Sequence, residues 1–422
     1  MIRCALVVAL CARSYAEPLL PFSATQLGNG VRVVLAPDPN ASSVVVHVRY
    51  EVGAGDEARA EAGYTHLVER LLFAGTKHVG DFEARIEAAG GWAGSVTTQD
   101  HLSVFEQMPP EALELALWLE AERMASLSES ITDAGLARAK ADIAAEWRSA
   151  YIEQPSSLVA RDVQQRLWPT VNLVLGDNIA VPRATRATIA AFARAHIAPT
   201  RTTLVIAGNF DATRALEYVT KYVGAIAPAR TNGGVKIARA VPLASSSEHA
   251  IGDPIANVVV AFRLDEPFSD DALAIEVAAR VLAGGRASRL QRRLVDGKRA
   301  STVDIELVRQ RGGCELHIAA TPMPGIASAT VAHELQSEVA KLHGTISDDE
   351  LERAKAAVDR DLVLALEGLA YRADALASWR AYGGAALSLD VLRARYRAVT
   401  TRALDRAIET WLSKSVTTNS TQ

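Results

Sequence analysis

Short runs of apolar and β-branched residues recur along the chain, and stretches with helical periodicity separate them. Such runs are typical of β-strands, whereas apolar residues repeated three and four positions apart favour amphipathic helices. The strand-like runs are Val44–Val48, Thr203–Ala207, Val258–Phe262 and Glu315–Ala320. Strands that alternate with long amphipathic helices predict an α+β fold, in which a mainly antiparallel sheet has helices packed on one face.

Two segments of the chain are repeated later in the chain. Ile131–Ile143 matches Ile346–Val358 at an offset of 215 residues, and Leu72–Gly75 matches Leu282–Gly285 at an offset of 210. The first pair begins with Thr-Asp and Ser-Asp, which suit a helix N-cap, and continues with good helix formers. Two matches in the same order and at similar offsets indicate duplication of a whole domain.

The expected boundary between the two copies is the turn-rich segment Ala227–Val235. A chain of 422 residues is long for one domain and suits two. We therefore expect a first domain over residues 17–228 and a homologous second domain over residues 235–415. The polar tail Ser413–Gln422 is expected to fray.

The N-terminus resembles a secretory signal peptide over residues 1–16. Arg3 is the basic start, residues 4–12 are apolar, and Ser14–Ala16 forms a small-residue cleavage site. The apolar run is too short to span a bilayer, so no transmembrane segment is expected. The sequence predicts an exported, periplasmic protein; lipid attachment at Cys11 is the weaker alternative, because the residue before it is the large Leu10.

Charge and cysteine content exclude two further classes. The formal net charge is −4, which gives no basic imbalance of the kind that binds nucleic acid. Without the leader, Cys314 is the one cysteine that remains of three, so no internal disulfide stabilises the fold.

One stretch carries the candidate chemistry. Within Gly63–Thr76, the order His66-Leu-Val-Glu69-Arg70 resembles the inverted zinc-protease motif H-x-x-E-H with its last histidine replaced. On a helix, residues three and four positions apart share one face, so these three side chains are expected together. Imidazole and carboxylate are ordinary zinc ligands, whereas a guanidinium has no lone pair to offer and stays protonated. The stretch therefore predicts a protease-like site with a defect at its centre.

Further segments extend this resemblance over nearly the whole chain. The protein resembles the pitrilysin/insulinase family of inverzincin metallopeptidases, in its bacterial branch related to mitochondrial processing peptidase. The resemblance implies two homologous domains and zinc-dependent cleavage of peptides. The matching segments are Leu27–Leu35 as the opening strand, Val52–Glu57 before the motif helix, Gly90–Asp100 as the strand beside the substrate cleft, and Leu117–Met124 in the following helix.

The resemblance assigns roles to individual residues. In the family, two motif histidines and a distal glutamate bind zinc, and the motif glutamate is the general base that activates water. His66 and Glu146 match the surviving zinc-ligand positions, Glu69 matches the general base, and Arg70 replaces the second histidine. Ala139 stands where the family usually has a glutamate behind the metal ligands.

The substrate-binding positions also depart from the family pattern. Gly94 and Ser95 stand on the cleft strand where the family usually has Asn-Ala. Val295 and Thr302 stand where the second domain often carries an arginine–tyrosine pair that grips the substrate. In bacterial two-subunit members, the zinc subunit commonly lacks this pair and its partner supplies it. By that criterion the chain is similar to the zinc-type subunit.

Other arginines do not restore the lost positions. Arg289 and Arg292 lie near the arginine–tyrosine positions but out of register, and we expect both to be solvated surface residues. The offset of 210 places Glu276, Ala279 and Arg280 opposite His66, Glu69 and Arg70, so the second domain is expected to lack a zinc motif.

Arg70 decides how the site is interpreted. Two protein ligands would hold zinc weakly. In addition, the guanidinium repels a unit positive charge by ~4 kcal/mol at ~4 Å and an effective dielectric of ~20, and this repulsion doubles for the dication Zn²⁺. A guanidinium can instead pair with a carboxylate. We therefore predict that Arg70 lies within hydrogen-bond reach of Glu146 or Glu69, that this salt bridge replaces the ion, and that zinc is absent or weakly bound.

Three functional hypotheses follow, in order of preference. The first is a non-catalytic or catalytically impaired homologue that pairs with an active family member, as a heterodimer, to form a peptide-degrading chamber; a homodimer is the other arrangement considered. The second is an active zinc endopeptidase of oligopeptides that uses His66, Glu146 and Glu69. The third is a structural or peptide-holding protein similar to the core subunits of the respiratory cytochrome bc complex.

Overall fold

The computed structural model describes residues 19–153, 156–228, 239–252, 257–384 and 386–421. The expected signal peptide of residues 1–16, with Cys11, lies outside the described residues, as does most of the expected boundary segment Ala227–Val235. Within the described part of the chain, no helix is long and apolar enough to cross a membrane.

The first domain contains one sheet and the helices that pack on it. Its strands are β1 (Ser23–Gln26), β2 (Arg32–Pro37), β3 (Val44–Tyr50), β4 (Trp92–Thr97), β5 (Leu102–Met108) and β6 (Thr202–Gly208). Its helices are α1 (Tyr64–Leu72), α2 (Phe82–Ala88), α3 (Leu113–Ser130), α4 (Asp133–Arg148), α5 (Ser156–Leu167), α6 (Ala180–Arg183), α7 (Arg186–His196) and α8 (Ala212–Tyr222).

The second domain has the same kind of elements. Its strands are β7 (Ser247–Gly252), β8 (Val258–Leu264), β9 (Ala300–Gln310), β10 (Gly313–Pro322) and β11 (Val416–Thr421). Its helices are α9 (Asp270–Ala283), α10 (Ser328–Ala340), α11 (Asp348–Ala365), α12 (Leu369–Ser378), α13 (Leu389–Arg397) and α14 (Thr401–Trp411).

The two sheets have the same topology. The first has the order β1-β2-β6-β3-β5-β4 and the second β7-β11-β8-β10-β9, so apart from β1 they correspond strand for strand. In each, the first corresponding pair (β2 with β6, β7 with β11) is parallel. The remaining pairs are antiparallel. This correspondence confirms the predicted α+β fold with two homologous domains.

The repeated segments form equivalent helices with equivalent caps. Thr132 Oγ1 accepts a hydrogen bond from the backbone N–H of Gly135 at 3.0 Å where α4 begins. Ser347 Oγ accepts one from the backbone N–H of Glu350 at 3.3 Å where α11 begins. These caps satisfy amide groups that no helical carbonyl reaches. The Thr-Asp and Ser-Asp pairs therefore start the helices where the sequence predicted.

The expectation that the C-terminal tail frays is wrong. Val416–Thr421 forms β11, which lies between β7 and β8 in the second sheet. Thr417 and Thr418 are fully buried, and Thr418 Oγ1 donates to Asp162 Oδ2 at 2.7 Å. Because β11 pairs on both sides, its backbone groups are satisfied within the sheet, and its threonines and valine suit a pleated strand.

The two domains exchange helices across their interface. Helix α5 of the first domain packs on β8 and β11, and helix α12 of the second packs on β3 and β6. These helices begin at Ser156 and Leu369, which are separated by nearly the repeat offset. The apolar cluster under α5 consists of Val159, Val163, Leu167, Val259, Ala261 and Val416. Each sheet thus has its second face covered by a helix of the other domain, which fixes the domains to each other.

A buried polar network crosses the same interface. The fully buried Arg49 donates through Nη2 to Tyr382 Oη at 2.7 Å, and Tyr382 Oη donates to Asp100 Oδ2 at 2.7 Å. The backbone N–H of Arg311 donates to Asp100 Oδ2 at 2.6 Å, and Arg311 Nη2 donates to Asp56 Oδ2 at 2.5 Å. Charged groups from both domains therefore neutralise one another inside the protein, as buried charges require.

Candidate functional site

The loop before α1 fixes the N-terminus of the motif helix. Gly63 precedes the helix with a φ of 90°, in the left-handed region that favours glycine. Glu57 accepts hydrogen bonds from the backbone N–H groups of Gly63 at 2.8 Å and Thr65 at 2.7 Å. Leu67 and Leu71 are buried in the core of the first domain. The helix is therefore anchored at one end and along one side.

His66 lies between two carboxylates. Its Nδ1 is 3.0 Å from Glu69 Oε2, three residues along α1. Its Nε2 is 2.9 Å from Glu146 Oε2 on α4. His66 and Glu69 are each 5% exposed. The structure thus brings together the imidazole, the general-base position and the distal ligand position that the sequence singled out.

Arg70 completes this cluster. Its Nη2 donates to Glu146 Oε2 at 2.7 Å, so this oxygen is shared with His66 Nε2. The side chains of Arg70 and Glu146 are 39% and 38% exposed. The contact between Arg70 and Glu146 is one of the two that the helix spacing predicted. The guanidinium occupies the place beside His66 and Glu146 where a third ligand side chain would stand.

The cluster is arranged so that its cations and anions stabilise each other. Burial disfavours a charged imidazole, but hydrogen bonds to Glu146 and Glu69 raise the pKa of His66 to about 9. The hydrogen bond from His66 lowers the pKa of Glu146 to about 2. Burial alone would raise the pKa of Glu69, yet hydrogen bonds from His66, Thr97 and Ser95 lower it. At neutral pH an imidazolium and a guanidinium therefore face two carboxylates.

Strand β4 supplies two hydroxyl groups to Glu69. Ser95 Oγ donates to Glu69 Oε1 at 2.7 Å, and Thr97 Oγ1 donates to Glu69 Oε2. Sequence reasoning singled out Ser95 but missed Thr97, although residues two apart on a strand share a face. Gly94 lies close to Phe105, since a Cβ there would lie 2.5 Å from Phe105 Cζ and the ring would have to shift. Both Glu69 oxygens are thus held by the protein.

These residues do not fit a zinc site. Zinc needs a deprotonated imidazole and free carboxylate oxygens. Here His66 hydrogen-bonds through both ring nitrogens, and Arg70 donates to the Glu146 oxygen that faces His66. Among the described residues, no group of three or more His, Cys, Asp or Glu side chains could hold a metal ion. The donor set at the motif therefore lacks a third ligand.

A cleft of about 590 Å³ opens beside the cluster. Its walls include Glu69, Arg70, Ser95, Ala139 and Arg138. All residues that line it belong to the first domain. The second domain therefore contributes no wall to this cleft.

The positions assigned to the substrate-gripping pair lie elsewhere. Val295 is half-buried in a helical turn, Gln291–Asp296, after α9. Thr302 is exposed on β9, and its Oγ1 donates to Thr321 Oγ1 at 3.2 Å. Neither residue lines the cleft. The two motif-matched positions of the second domain are therefore not brought together with the motif.

The expectation for Arg289 is wrong, whereas Arg292 is exposed as expected. The side chain of Arg289 is only 13% exposed. Its Nε and Nη2 donate to the two carboxylate oxygens of Glu350 at 2.9 and 2.8 Å. Arg289 is held in place because Glu350, far away in sequence, lies in the first turn of the neighbouring helix α11. It links two parts of the second domain instead of facing solvent.

The second domain has an arginine–carboxylate pair at the place equivalent to Arg70 and Glu146. Arg280 lies opposite Arg70 at an offset of 210, and Asp361 lies opposite Glu146 at an offset of 215. Arg280 Nη2 is 3.3 Å from Asp361 Oδ2. These residues stand on α9 and α11, which correspond to α1 and α4. The Arg70–Glu146 pair at the motif is thus of the same type as the Arg280–Asp361 pair in the second domain, which has no motif.

Two family models match the chain in succession. The model described as "Insulinase (Peptidase family M16)" matches residues 32–174. The model described as "Peptidase M16 inactive domain" matches residues 183–358. Together they account for most of both domains.

Proteins with similar sequences or structures are also described as proteases. The zinc protease PqqE of Helicobacter pylori is 24% identical over 387 residues, which cover 86% of this chain and 84% of that protein. A crystal structure of a protease from Helicobacter pylori has a TM-score of 0.88 at 20% identity and covers 96% of this chain and 100% of that chain. The periplasmic protease PqqL from Escherichia coli has a TM-score of 0.78 at 17% identity, over 95% of this chain and 47% of that chain. At these identities the structural matches show a common fold.

Proposed function

The chain belongs to the insulinase family of peptidases, and we propose that it is a non-catalytic member that pairs with an active homologous subunit to form a peptide-degrading chamber. In this proposal Arg70 replaces the metal, Glu69 keeps the position of the general base without activating water, and zinc is not stably bound.

The observation that carries the proposal is the contact of Arg70 with Glu146. Arg70 Nη2 lies 2.7 Å from Glu146 Oε2, and His66 Nε2 lies 2.9 Å from the same oxygen. A cation at this point neutralises Glu146, one of the two family ligand positions, and repels a second cation. The side chains at the two ligand positions, His66 and Glu146, and at the general-base position, Glu69, are therefore each hydrogen-bonded to other side chains.

The second domain supports this interpretation. Arg280, which lies within the segment that the inactive-domain model matches, forms an equivalent pair with Asp361, which follows that segment. An arginine–carboxylate link between the two helices is therefore an arrangement that this fold accommodates without a metal. The first domain carries that arrangement at the motif itself.

The open cleft supports pairing with another subunit. Residues of the first domain alone line it, and Val295 and Thr302 provide neither a guanidinium nor a phenol. Strand β4 ends the first sheet, so its outer edge has no partner strand among the described residues. Trp92 and Val96 on this strand are 49% and 42% exposed. An edge strand with exposed apolar side chains is suited to an extended peptide or a partner surface.

The proposed location is the periplasm. The sequence of residues 1–16 has the order of a secretory signal, and the structurally similar PqqL of Escherichia coli is described as a periplasmic protease. Expression of the full chain in a Gram-negative host, followed by fractionation and N-terminal sequencing, tests this. A periplasmic product that begins at Glu17 supports it, and an uncleaved cytoplasmic product contradicts it.

Metal content and peptidase activity test the absence of catalysis. Protein purified from zinc-supplemented medium is expected to hold far less than one zinc per chain by elemental analysis and to leave quenched fluorescent peptides uncut. Glu69→Gln is the matched control, because any activity that persists in this variant comes from a contaminant. One zinc per wild-type chain, together with peptide cleavage that Glu69→Gln abolishes, would establish an active zinc endopeptidase instead.

Co-expression tests the pairing. The chain is expressed with a family member that has a complete H-x-x-E-H motif, and the mass of the purified complex is measured by light scattering. We expect a complex of the two chains and peptidase activity greater than that of the active subunit alone. A chain that stays monomeric beside such a partner contradicts the pairing, and a stable complex without added activity favours a structural or peptide-holding role.

A further inference from the structure

A second cavity lies at the boundary of the two domains and shares no lining residue with the motif cleft. It has a volume of about 440 Å³, within the range of small-molecule sites, which often lie at domain interfaces. Helices α9, α11, α12 and α13 of the second domain form most of its wall, and His101 lines it from the first domain. Apart from Arg280 and Asp361, this wall contains no residue that the proposed function uses.

His101 presents an unpaired acceptor to this boundary cavity. Its Nδ1 is 2.9 Å from Asp100 Oδ1, and because a carboxylate only accepts hydrogen bonds, Nδ1 carries the proton. Burial and the nearby Arg49 lower the pKa of His101, so the ring is uncharged at neutral pH and Nε2 keeps its lone pair. Arg49 is itself neutralised by Glu51, 3.4 Å from its Nε, and by Asp100.

The Nε2 atom of His101 faces the cavity. His101 is only 9% exposed, and its Nε2 has no hydrogen-bond partner among the described residues. The atom is nevertheless not one of the polar atoms that lack both a partner and accessible surface. The surface that it keeps therefore opens into the cavity that the ring lines.

Asp374 adds a carboxylate to the same wall. Its side chain is 50% exposed, so the charge is presented to the cavity. Among the described residues, the basic group within 4.0 Å of it is His47, whose Nε2 lies 3.5 Å from Asp374 Oδ1. This distance is longer than an ordinary N–H···O hydrogen bond. Because His47 is only 2% exposed, it lies behind the wall.

The two arginines of the wall have acid partners of their own. Arg309 Nη2 lies 2.5 Å from Glu276 Oε2, and Arg280 Nη2 lies 3.3 Å from Asp361 Oδ2. Asp374 is thus the carboxylate of this wall that has no arginine or lysine partner among the described residues. The wall carries an excess of negative charge, which favours a cation.

Aromatic rings complete the surroundings of such a cation. Tyr371 lines the cavity at a position that is 74% exposed, and Trp379 lines it from the core with an exposure of 4%. The faces of these rings attract cations. A cation with N–H groups also satisfies both acceptors, His101 Nε2 and Asp374, whereas an anion is repelled by Asp374 and an apolar ligand leaves both acceptors unpaired.

We propose that the boundary cavity binds an organic cation that carries N–H groups, the chemistry of a lysine ammonium or an arginine guanidinium. His101 Nε2 and Asp374 accept its hydrogen bonds, and Tyr371 and Trp379 contact its charge and its carbon chain. The site needs neither a metal nor a partner subunit, so it goes beyond the proposed function.

The test compares side chains of similar length with and without a charge. Binding of Nα-acetyl-lysine amide, Nα-acetyl-arginine amide and the uncharged Nα-acetyl-norleucine amide to the purified full chain is measured by calorimetry and ligand-observed NMR. At least one of the two cations is expected to bind saturably and at least about tenfold more tightly than the norleucine compound, and the tighter of the two identifies the head group. Equal binding of all three, or binding of none at concentrations of about 10 mM, overturns the proposal.

Variants assign the binding to the cavity. Asp374→Asn keeps the shape of the side chain and removes its charge, so it is expected to weaken binding of the cation at least about tenfold. Asp304→Asn, which changes an exposed carboxylate on β9 outside the cavity, is the matched control and leaves binding unchanged.

Tyr371→Ala provides a second test that does not depend on the charge. Because Tyr371 is 74% exposed, this variant keeps the core intact, and the loss of one ring should weaken binding about twofold to fivefold. If Asp374→Asn does not fold, Tyr371→Ala decides. Unchanged binding in the folded variants contradicts the assignment, and the metal content of the same samples keeps this result separate from the test of catalysis.

Discussion

Replacement of Arg70 by histidine is expected to create a zinc site. Donor atoms on one tetrahedral zinc, at ligand distances of ~2.0–2.1 Å, lie ~3.3 Å apart. His66 Nε2 and Glu146 Oε2 are 2.9 Å apart, so they need to separate by only ~0.4 Å to receive the ion. The new imidazole on α1 stands four residues from His66 and supplies the third ligand.

The expected gain in affinity has two parts. Repulsion between the guanidinium and a dication at ~4 Å and a dielectric of ~20 is ~8 kcal/mol. Because the side chain of Arg70 is 39% exposed and can turn to solvent, we retain about half, ~4 kcal/mol, or about a thousandfold in zinc affinity. Loss of an outer partner of a metal ligand costs ~10–100-fold, so a new direct ligand adds at least as much.

Three variants separate these two parts. Zinc affinity is measured by competition with a chromophoric chelator for Arg70→His, Arg70→Gln and the matched control Arg138→His, which adds a histidine to the same cleft outside the ligand set. Arg70→Gln should recover the repulsion part, Arg70→His both parts, and Arg138→His neither. The reasoning is refuted if Arg70→His binds zinc no more tightly than Arg70→Gln, or if the wild type already binds one zinc as tightly as Arg70→His.

Zinc alone is not expected to restore full activity. Val295 and Thr302 supply neither the guanidinium nor the phenol that the family uses on the substrate. Peptide cleavage by Arg70→His should therefore stay low and rise when a subunit with that pair is added. Full activity of Arg70→His as an isolated chain would show that the pair is not needed here.

Three further predictions concern stability and reactivity. Leu167 in the exchanged helix α5 is fully buried, so Leu167→Ala should lower the free energy of unfolding by ~2–5 kcal/mol in denaturant. Leu216 is 37% exposed, so the control Leu216→Ala should change it by less than ~0.5 kcal/mol. Equal effects of the two variants would mean that α5 is not part of the core. Cys314 is fully buried, and burial raises its thiol pKa to about 12. A chain that begins at Glu17 should therefore react with a thiol reagent at pH 8 only after unfolding. Rapid reaction of the native protein would contradict this. The hydrogen bond from Arg289 lowers the pKa of Glu350 from 4.5 to about 2, so Glu350→Gln should cost ~1.5–3 kcal/mol at neutral pH. Because the folded pKa is depressed, that cost should shrink as the pH falls from 4.5 towards 2, and a pH-independent cost would show that the charge is not its origin.

Local patterns were enough for the helices and strands of the core. The run Val44–Val48 forms part of β3, and the repeated segments form α4 and α11 with their predicted caps. The contact of Arg70 with Glu146 also followed from the sequence, because helix geometry fixes which side chains share a face and the family motif identified the distal glutamate. The domain boundary and the roles of the site residues stay predictions.

Contacts between distant segments account for the corrections. The tail at residues 416–421 is polar, and nothing local distinguishes it from a frayed end, yet β7 and β8 pair with it on both sides. Arg289 is polar and close to the exposed Arg292 in sequence, but Glu350, which binds it, comes from the start of α11. In both cases the partner was not visible from the neighbouring residues.

The sequence by itself determined the family, the duplicated α+β fold and the presence of Arg70 where the family motif has its second histidine. The fold depends on periodicity and on repeated segments, and the family on the match of short motifs, all of which are properties of neighbouring positions. Only the tertiary structure decided that Thr97 joins Ser95 in holding Glu69, that α5 and α12 are exchanged, and that His101 and Asp374 line one cavity. Each of these depends on side chains far apart in the chain that become neighbours only when apolar burial has folded each domain and packed the two together.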